Sequence, residues 1–110
     1  MEQQQMFGDK ARNVRLKFPA YYQVIMHNDD VTTMDFVVRI LMQIFFKPKK
    51  EAEEVMMKIH TEGQAVIGSY PYDIALSKTK KAMQAAREEG FPLCLTMEPD
   101  LTDTQGLSLC

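Results

Sequence analysis

Residues 34–46, MDFVVRILMQIFF, are apolar on almost every side, and this restricts the fold more than any other stretch. Asp35, Arg39 and Gln43 recur at four-residue spacing and make one narrow polar line, with Asp35 and Arg39 placed to pair. Met34, Phe36, Val37, Val38, Ile40, Leu41, Met42, Ile44, Phe45 and Phe46 fill the rest of the wheel. A helix apolar on most sides is buried on most sides, so one face must cover a sheet while another meets a second helix or walls a pocket. Thr32 and Asp35 form a T-x-x-D capping box that predicts the helix start, with the end at about Phe46.

The neighbouring segments supply what that helix needs. Tyr21 to Met26 is aromatic and β-branched and reads as a strand, with Tyr22, Val24 and Met26 on one face and Tyr21, Gln23, Ile25 and His27 on the other. After Lys47-Pro48-Lys49, a second helix is expected to Thr61, with Ala52, Val55, Met56 and Ile59 on one stripe and Gly63 as a left-handed stop. Gln64 to Gly68 reads as a short strand. Pro71 then introduces a helix from Tyr72 to Glu89, with Tyr72, Ala75, Leu76, Thr79, Ala82, Met83 and Ala86 facing inward. Leu93, Leu95 and Met97 alternate with Cys94, Thr96 and Glu98, a half-buried strand. The order β-α-α-β-α-β describes an α+β two-layer domain, a three-stranded antiparallel sheet with three helices packed on one face. The intervals allow the outer strands in sequence to neighbour the middle one, without fixing the order.

A length of 110 residues suits one core. Residues 1–19 carry too little apolar surface to offset the entropy of ordering and are expected to form a flexible extension; residues 20–99 form the core domain and 100–110 a loose tail. The net charge of −2, with no long basic block, gives no electrostatic support for a nucleic-acid partner. No apolar run approaches a bilayer span, so no membrane role and a cytoplasmic location are expected. Cys94 and Cys110 have no metal-knuckle spacing and are expected as free thiols. Nine methionines suit a surface that accepts more than one apolar partner.

Chemistry concentrates where the first strand runs into the first helix. Asn28-Asp29-Asp30 suits a turn and a helix N-terminus, yet two carboxylates and an amide exceed what a cap already supplied by Thr32 requires. With His27 and His60 the only histidines, no Cys-His or Ser-His-Asp set occurs at a motif spacing, and no phosphate loop, G-x-S-x-G or H-E-x-x-H is present, so an enzyme is not expected. Asn28, Asp29, Asp30 and His60 are acceptable metal-ligand types at a spacing that matches no standard loop; neither metal nor cofactor is expected. Met56 and His60 share a helix face, and Met34 can oppose Met56. Together these residues suggest apolar walls under an acidic mouth. A protein's N-terminal residue suits such a site, because its α-amino group is mostly cationic near neutrality and offers three donors to carboxylate, amide oxygen and neutral imidazole.

At these residues the chain resembles a known family. Asn28-Asp29-Asp30-x-Thr32-x-Met34-Asp35-Phe36-Val37, followed by Met56-x-x-x-His60-x-x-Gly63, is similar to ClpS, the adaptors that select N-end-rule substrates for the bacterial Clp AAA+ protease; the likeness runs over about residues 20–99. It implies that Asn28, Asp30 and His60 bind the substrate's α-amino group, with Asp29 near the substrate backbone. It implies that Thr32, Met34, Val37, Ile40 and Met56 line the pocket for an N-terminal Leu, Phe, Tyr or Trp, and that Met34 excludes β-branched residues. It implies a monomer that docks on the N-terminal domain of a ClpA-type unfoldase near Asp73 and Lys78. The chain departs from the family's usual pattern at His27, Val31 and Thr33. The rival expectation is a general protein-interaction domain, similar to the ribosomal stalk C-terminal domain, with no recognition of N-termini.

Overall fold

The computed structural model describes residues 20–101; the expected N-terminal extension and most of the expected C-terminal tail, with Cys110, lie outside the described residues. The elements follow as β1 (Tyr21–His27), α1 (Met34–Gln43), α2 (Lys49–Glu62), β2 (Gln64–Pro71), α3 (Tyr72–Glu88) and β3 (Cys94–Pro99). The sheet is antiparallel throughout in the order β2-β1-β3, so the first strand of the chain is the central one. Alternation along β1 sends Val24 and Met26, both 0% exposed, toward the helices. There they join Phe36, Leu41, Ala52, Ile59, Ala75, Ala82, Ala86, Leu93 and Leu95 in one core drawn from all three helices and all three strands.

Two local stops differ from the sequence expectation. Strand β2 continues past Gly68 to Pro71, with a register shift between Val24 and Ile25 on the partner strand. Tyr70 folds back over Gly68: a Cβ there would lie 2.6 Å from the phenol oxygen, so any other residue would require the Tyr70 ring to shift. Helix α1 ends at Gln43, before Phe46. Phe46 takes a left-handed backbone at φ 55, the Lys47 N–H closes on the Leu41 carbonyl at 3.0 Å, and Lys78 Nζ donates to the Ile44 carbonyl at 2.7 Å. The Lys78 ammonium thus satisfies a free carbonyl at the negative end of the helix and lies 4.5 Å from the Phe46 ring centre. The polar line of α1 also behaves differently: Arg39 reaches Glu89 beyond α3 at 3.1 Å and not Asp35, and its guanidinium covers the Phe36 ring.

Helix α3 presents its small residues to the sheet, and Ala75, Ala82 and Ala86 are fully buried. Tyr72, expected inside, is half exposed but sets its ring edge-on to Tyr22 at 5.2 Å. Thr79 is buried with its hydroxyl unpaired among the described residues. An unpaired buried hydroxyl costs about 1–3 kcal/mol, so Thr79→Val, which keeps the branched shape, is expected to raise stability by about 1 kcal/mol. Urea unfolding tests this; an unchanged or lower midpoint would mean that the hydroxyl is satisfied. Past β3, the Asp100 N–H donates to the Tyr21 carbonyl and Ser69 donates to the Asp100 carboxylate at 2.6 Å, so this residue belongs with the sheet and not with a loose tail.

Candidate functional site

A cavity of about 400 Å³ opens where β1 meets α1, lined by residues 28–34 together with Val37, Met56, Ile59 and His60. That volume falls within the ~300–1,000 Å³ usual for small-ligand sites. Of the residues expected to form the site, Asn28, Asp29, Asp30, Thr32, Met34, Val37, Met56 and His60 meet here. Ile40 does not; one turn beyond Val37, it lies in the core at 3% exposure. Val31, Thr33 and Ile59 also line the cavity, although none was expected among its lining residues. Ile59 was legible as part of the α2 stripe, but a stripe does not say which of its members face a cavity.

The floor and the mouth are shaped by one carboxylate. Asp29 Oδ1 accepts from the Val31 N–H at 2.8 Å and the Thr32 N–H at 2.6 Å, while Oδ2 accepts from the Thr32 hydroxyl at 2.8 Å. Short Asx turns of this type fix a loop locally. Thr32 is therefore tied back to Asp29, and the helix cap passes to Thr33: its backbone is extended and its hydroxyl accepts the Phe36 N–H at 3.2 Å. This corrects the expected capping box, because a threonine hydroxyl already given to a carboxylate does not turn toward the helix. On the other side, the Asn28 N–H donates to the Gly63 carbonyl at 2.8 Å, joining the mouth to the end of α2 just past His60. Gly63 sits at φ 93 and closes that helix, as its position predicted.

Burial alone would raise the Asp29 carboxyl; the Thr32 and Val31 donors and the positive charge of Arg87 together hold it below the usual carboxylate value. A lowered folded-state value means that the charged form is favoured by folding. The associated stability is fully present above the ordinary aspartate range, near pH 4, and is lost as pH falls through the lower folded value. Asp29→Asn is accordingly expected to lose stability at neutral pH and to show a shallower further loss below about pH 4 than the native chain. Urea melts across that range check this; parallel curves would remove Asp29 from the acid response.

The carboxylate of Asp30 is exposed at the same mouth, with Asn28 and His60 also exposed. The walls below are Met34, Val37, Met56 and Ile59. The site thus offers two carboxylates, an amide and an imidazole above an apolar socket, an arrangement suited to a cation with an apolar side chain. Among the described residues, no group of three or more His, Cys, Asp or Glu side chains is placed to hold a metal ion. Asp73 and Lys78 lie on α3, outside the cavity lining.

The match to known proteins covers this site and the sheet behind it. The family model described as "ATP-dependent Clp protease adaptor protein ClpS" matches residues 17–96. The chain belongs to the ClpS family. The Clp protease adapter ClpS of Acetivibrio thermocellus is 47% identical over 91 residues, covering 83% of this chain and 92% of that protein. Its counterpart in Campylobacter jejuni strain RM1221 is 48% identical over 86 residues, covering 78% and 90%. A solved structure, that of Agrobacterium tumefaciens ClpS2 bound to L-phenylalaninamide, superposes with a TM-score of 0.72 at 39% identity, covering 74% of this chain and 99% of that one. Membership of ClpS makes this chain a non-catalytic adaptor of the Clp protease and agrees with the β-α-α-β-α-β fold. Among the described residues no helix is long and apolar enough to cross a membrane.

Proposed function

We propose that this ClpS protein binds the N-terminal residue of substrate proteins in the cavity between β1, α1 and α2, and delivers them to a ClpA-type AAA+ unfoldase for degradation. The observation that carries this reading is the placement of Asn28, Asp30 and His60 at the mouth of a socket walled by Met34, Val37 and Met56. Asp30, Asn28 and His60 receive the three donors of the α-amino group, and the side chain of Leu, Phe, Tyr or Trp descends between the methionines. L-phenylalaninamide, bound in the solved structure of Agrobacterium tumefaciens ClpS2, carries the same two groups, a free α-amino group and an aromatic side chain. Asp29 stands beside the expected path of the substrate backbone. Its oxygens already serve Val31 and Thr32, so its first task is to hold the loop that makes the mouth.

Comparing a Leu-started peptide with its N-acetylated twin tests the reading. The adaptor is expected to lose the acetylated peptide, whose amide nitrogen carries no charge and has one hydrogen to donate. Equal binding of both would favour a general interaction surface instead. Met34 is part of the cavity wall and is 42% exposed. Met34→Ala is expected to admit Ile- and Val-started peptides that the native chain refuses, since removing a thioether relieves conflict at a branched Cβ. Competition assays measure this; continued exclusion would place the selective contact elsewhere.

Docking on the unfoldase's N-terminal domain is assigned to the α3 surface around Asp73 and Lys78, with the adaptor as a monomer. The exposed Asp73 carboxylate suits such a contact. Lys78 is half-buried and tied to the Ile44 carbonyl, its ammonium pushed below the usual lysine value by burial and by Lys81. A partner reaching for Lys78 therefore also meets Phe46, which is 77% exposed against it.

A further inference from the structure

Arg87, near the end of α3, is not among the residues lining the cavity, yet its contacts lead to the cavity by two routes. Its Nη1 donates to the Phe91 carbonyl at 3.0 Å and to the Leu93 carbonyl at 2.8 Å. Those bonds tie the α3–β3 turn, whose other ties are Gly90 at φ 79, the Gly90 N–H on the Arg87 carbonyl at 3.0 Å and the Phe91 N–H on the Ala86 carbonyl at 2.8 Å. The tied turn carries two side chains onto α1. The Phe91 ring stands edge-on to Phe36 at 5.1 Å, and Glu89 holds Arg39, whose guanidinium covers the same Phe36 ring at 5.0 Å. Phe36 is 1% exposed, and its N–H is the one capped by Thr33. The first turn of α1, which brings Thr33, Met34 and Val37 to the cavity, is thus clamped from behind by the α3–β3 turn.

The second route is electrostatic. Arg87 places a positive charge whose field reaches Asp29, the carboxylate that holds Val31 and Thr32 in the mouth. A charged Asp29 is the stronger acceptor for those three donors. We propose that Arg87 is a positioning residue for N-terminal residue recognition: by clamping the α3–β3 turn against Phe36 and through its positive charge, it sets the shape of a mouth it does not line. The proposal rests on the reading of the cavity as the site for the substrate's N-terminal residue.

A cation in the last turn of a helix would help stability at any site, so the test separates positioning from general support. Affinity for a Phe-started peptide is measured by calorimetry with the full chain, Arg87→Gln and Arg87→Lys, each first checked by thermal melting. The Asp29 carboxyl is titrated by carbon NMR without peptide, with Asp30 and His60 followed alongside. Arg87→Gln is expected to weaken binding about tenfold, the scale of one charge-assisted bond, and to move the Asp29 titration upward. Arg87→Lys keeps the charge but not the forked guanidinium; it is expected to leave the Asp29 titration near the native one with intermediate affinity. Native affinity in a folded Arg87→Gln would overturn the proposal, as would an Asp29 titration that ignores the lost charge. Should Arg87→Gln not fold, Arg87→Lys and Phe91→Leu each remove one link, and native affinity in both would overturn it equally. A native chain that binds no Phe-started peptide defeats the reading of the cavity itself; the Asp29 titration, read without peptide, still judges the electrostatic route.

Discussion

Asp30→Ala is expected to cost roughly 2–5 kcal/mol in affinity for a peptide beginning with Phe, about thirtyfold or more in Kd. The reason lies in what the bound peptide does to the mouth. Asp30 is exposed in the free protein; on the proposed reading, an aromatic side chain filling the socket would set the α-amino group against the carboxylate with less water between them. Deleting the carboxylate then leaves an ammonium with Asn28 and His60 alone as new partners, and neither carries a compensating negative charge. Asp29 does not substitute readily, because its three accepted bonds shape the loop. Calorimetry with Asp30→Ala and Asp30→Asn checks this, and the asparagine variant distinguishes lost charge from lost hydrogen bonding. Unchanged affinity in both would remove the ammonium site from the mouth.

Phe36→Ala is the substitution with the largest expected effect on the fold. The ring is 1% exposed and meets Phe91 on one side and the Arg39 guanidinium on another. Removing such a ring from a packed core costs about 3–5 kcal/mol in lost transfer energy and residual cavity, a large share of the 5–15 kcal/mol that holds most domains together. Urea unfolding is expected to show the loss directly, and a cost below about 1 kcal/mol would mean that the surroundings collapse into the gap. The effect should extend to the site, since Thr33 caps the Phe36 N–H and the same helical turn carries Met34.

How much of this was legible from residues follows the range of the interactions concerned. Strand β1, helix α2 with its Gly63 stop, helix α3 behind Pro71 and the alternating strand β3 are written in local periodicity and local stop signals, and the structure has all of them. The end of α1 is not: a phenylalanine at left-handed φ carries no local stop signal, and Lys78 satisfies the open Ile44 carbonyl from thirty-four residues away. The choice between Thr32 and Thr33 as cap turns on which hydroxyl Asp29 claims first, and two adjacent threonines look alike in sequence. Arg39 had an acidic residue at helical spacing, yet found Glu89 through the tertiary fold.

The lining of the cavity was largely legible because the likeness to ClpS rests on two short motifs, whose Asn28, Asp29, Asp30, Thr32, Met34, Val37, Met56 and His60 meet around it. Ile40 shows where that reading stops. A helix apolar on most sides has a core face and a pocket face that blend into each other, and only the packing leaves Val37 on both and Ile40 in the core alone. Val31, Thr33 and Ile59 illustrate the converse, since backbone path and not residue type brings them to the lining.

The position of β1 at the centre of the sheet carries a consequence for how the chain is made. Among the described strands, synthesis delivers Tyr21–His27 first, yet that strand completes its second ladder with Cys94–Pro99, the last of them to be made. Until then it can pair with β2 at most, leaving one edge bearing open backbone groups beside the fully apolar positions Val24 and Met26. Such an edge pairs readily with any other strand nearby. Nascent chains arrested before residue 94 should therefore be prone to self-association, a state that ends once β3 is free to pair.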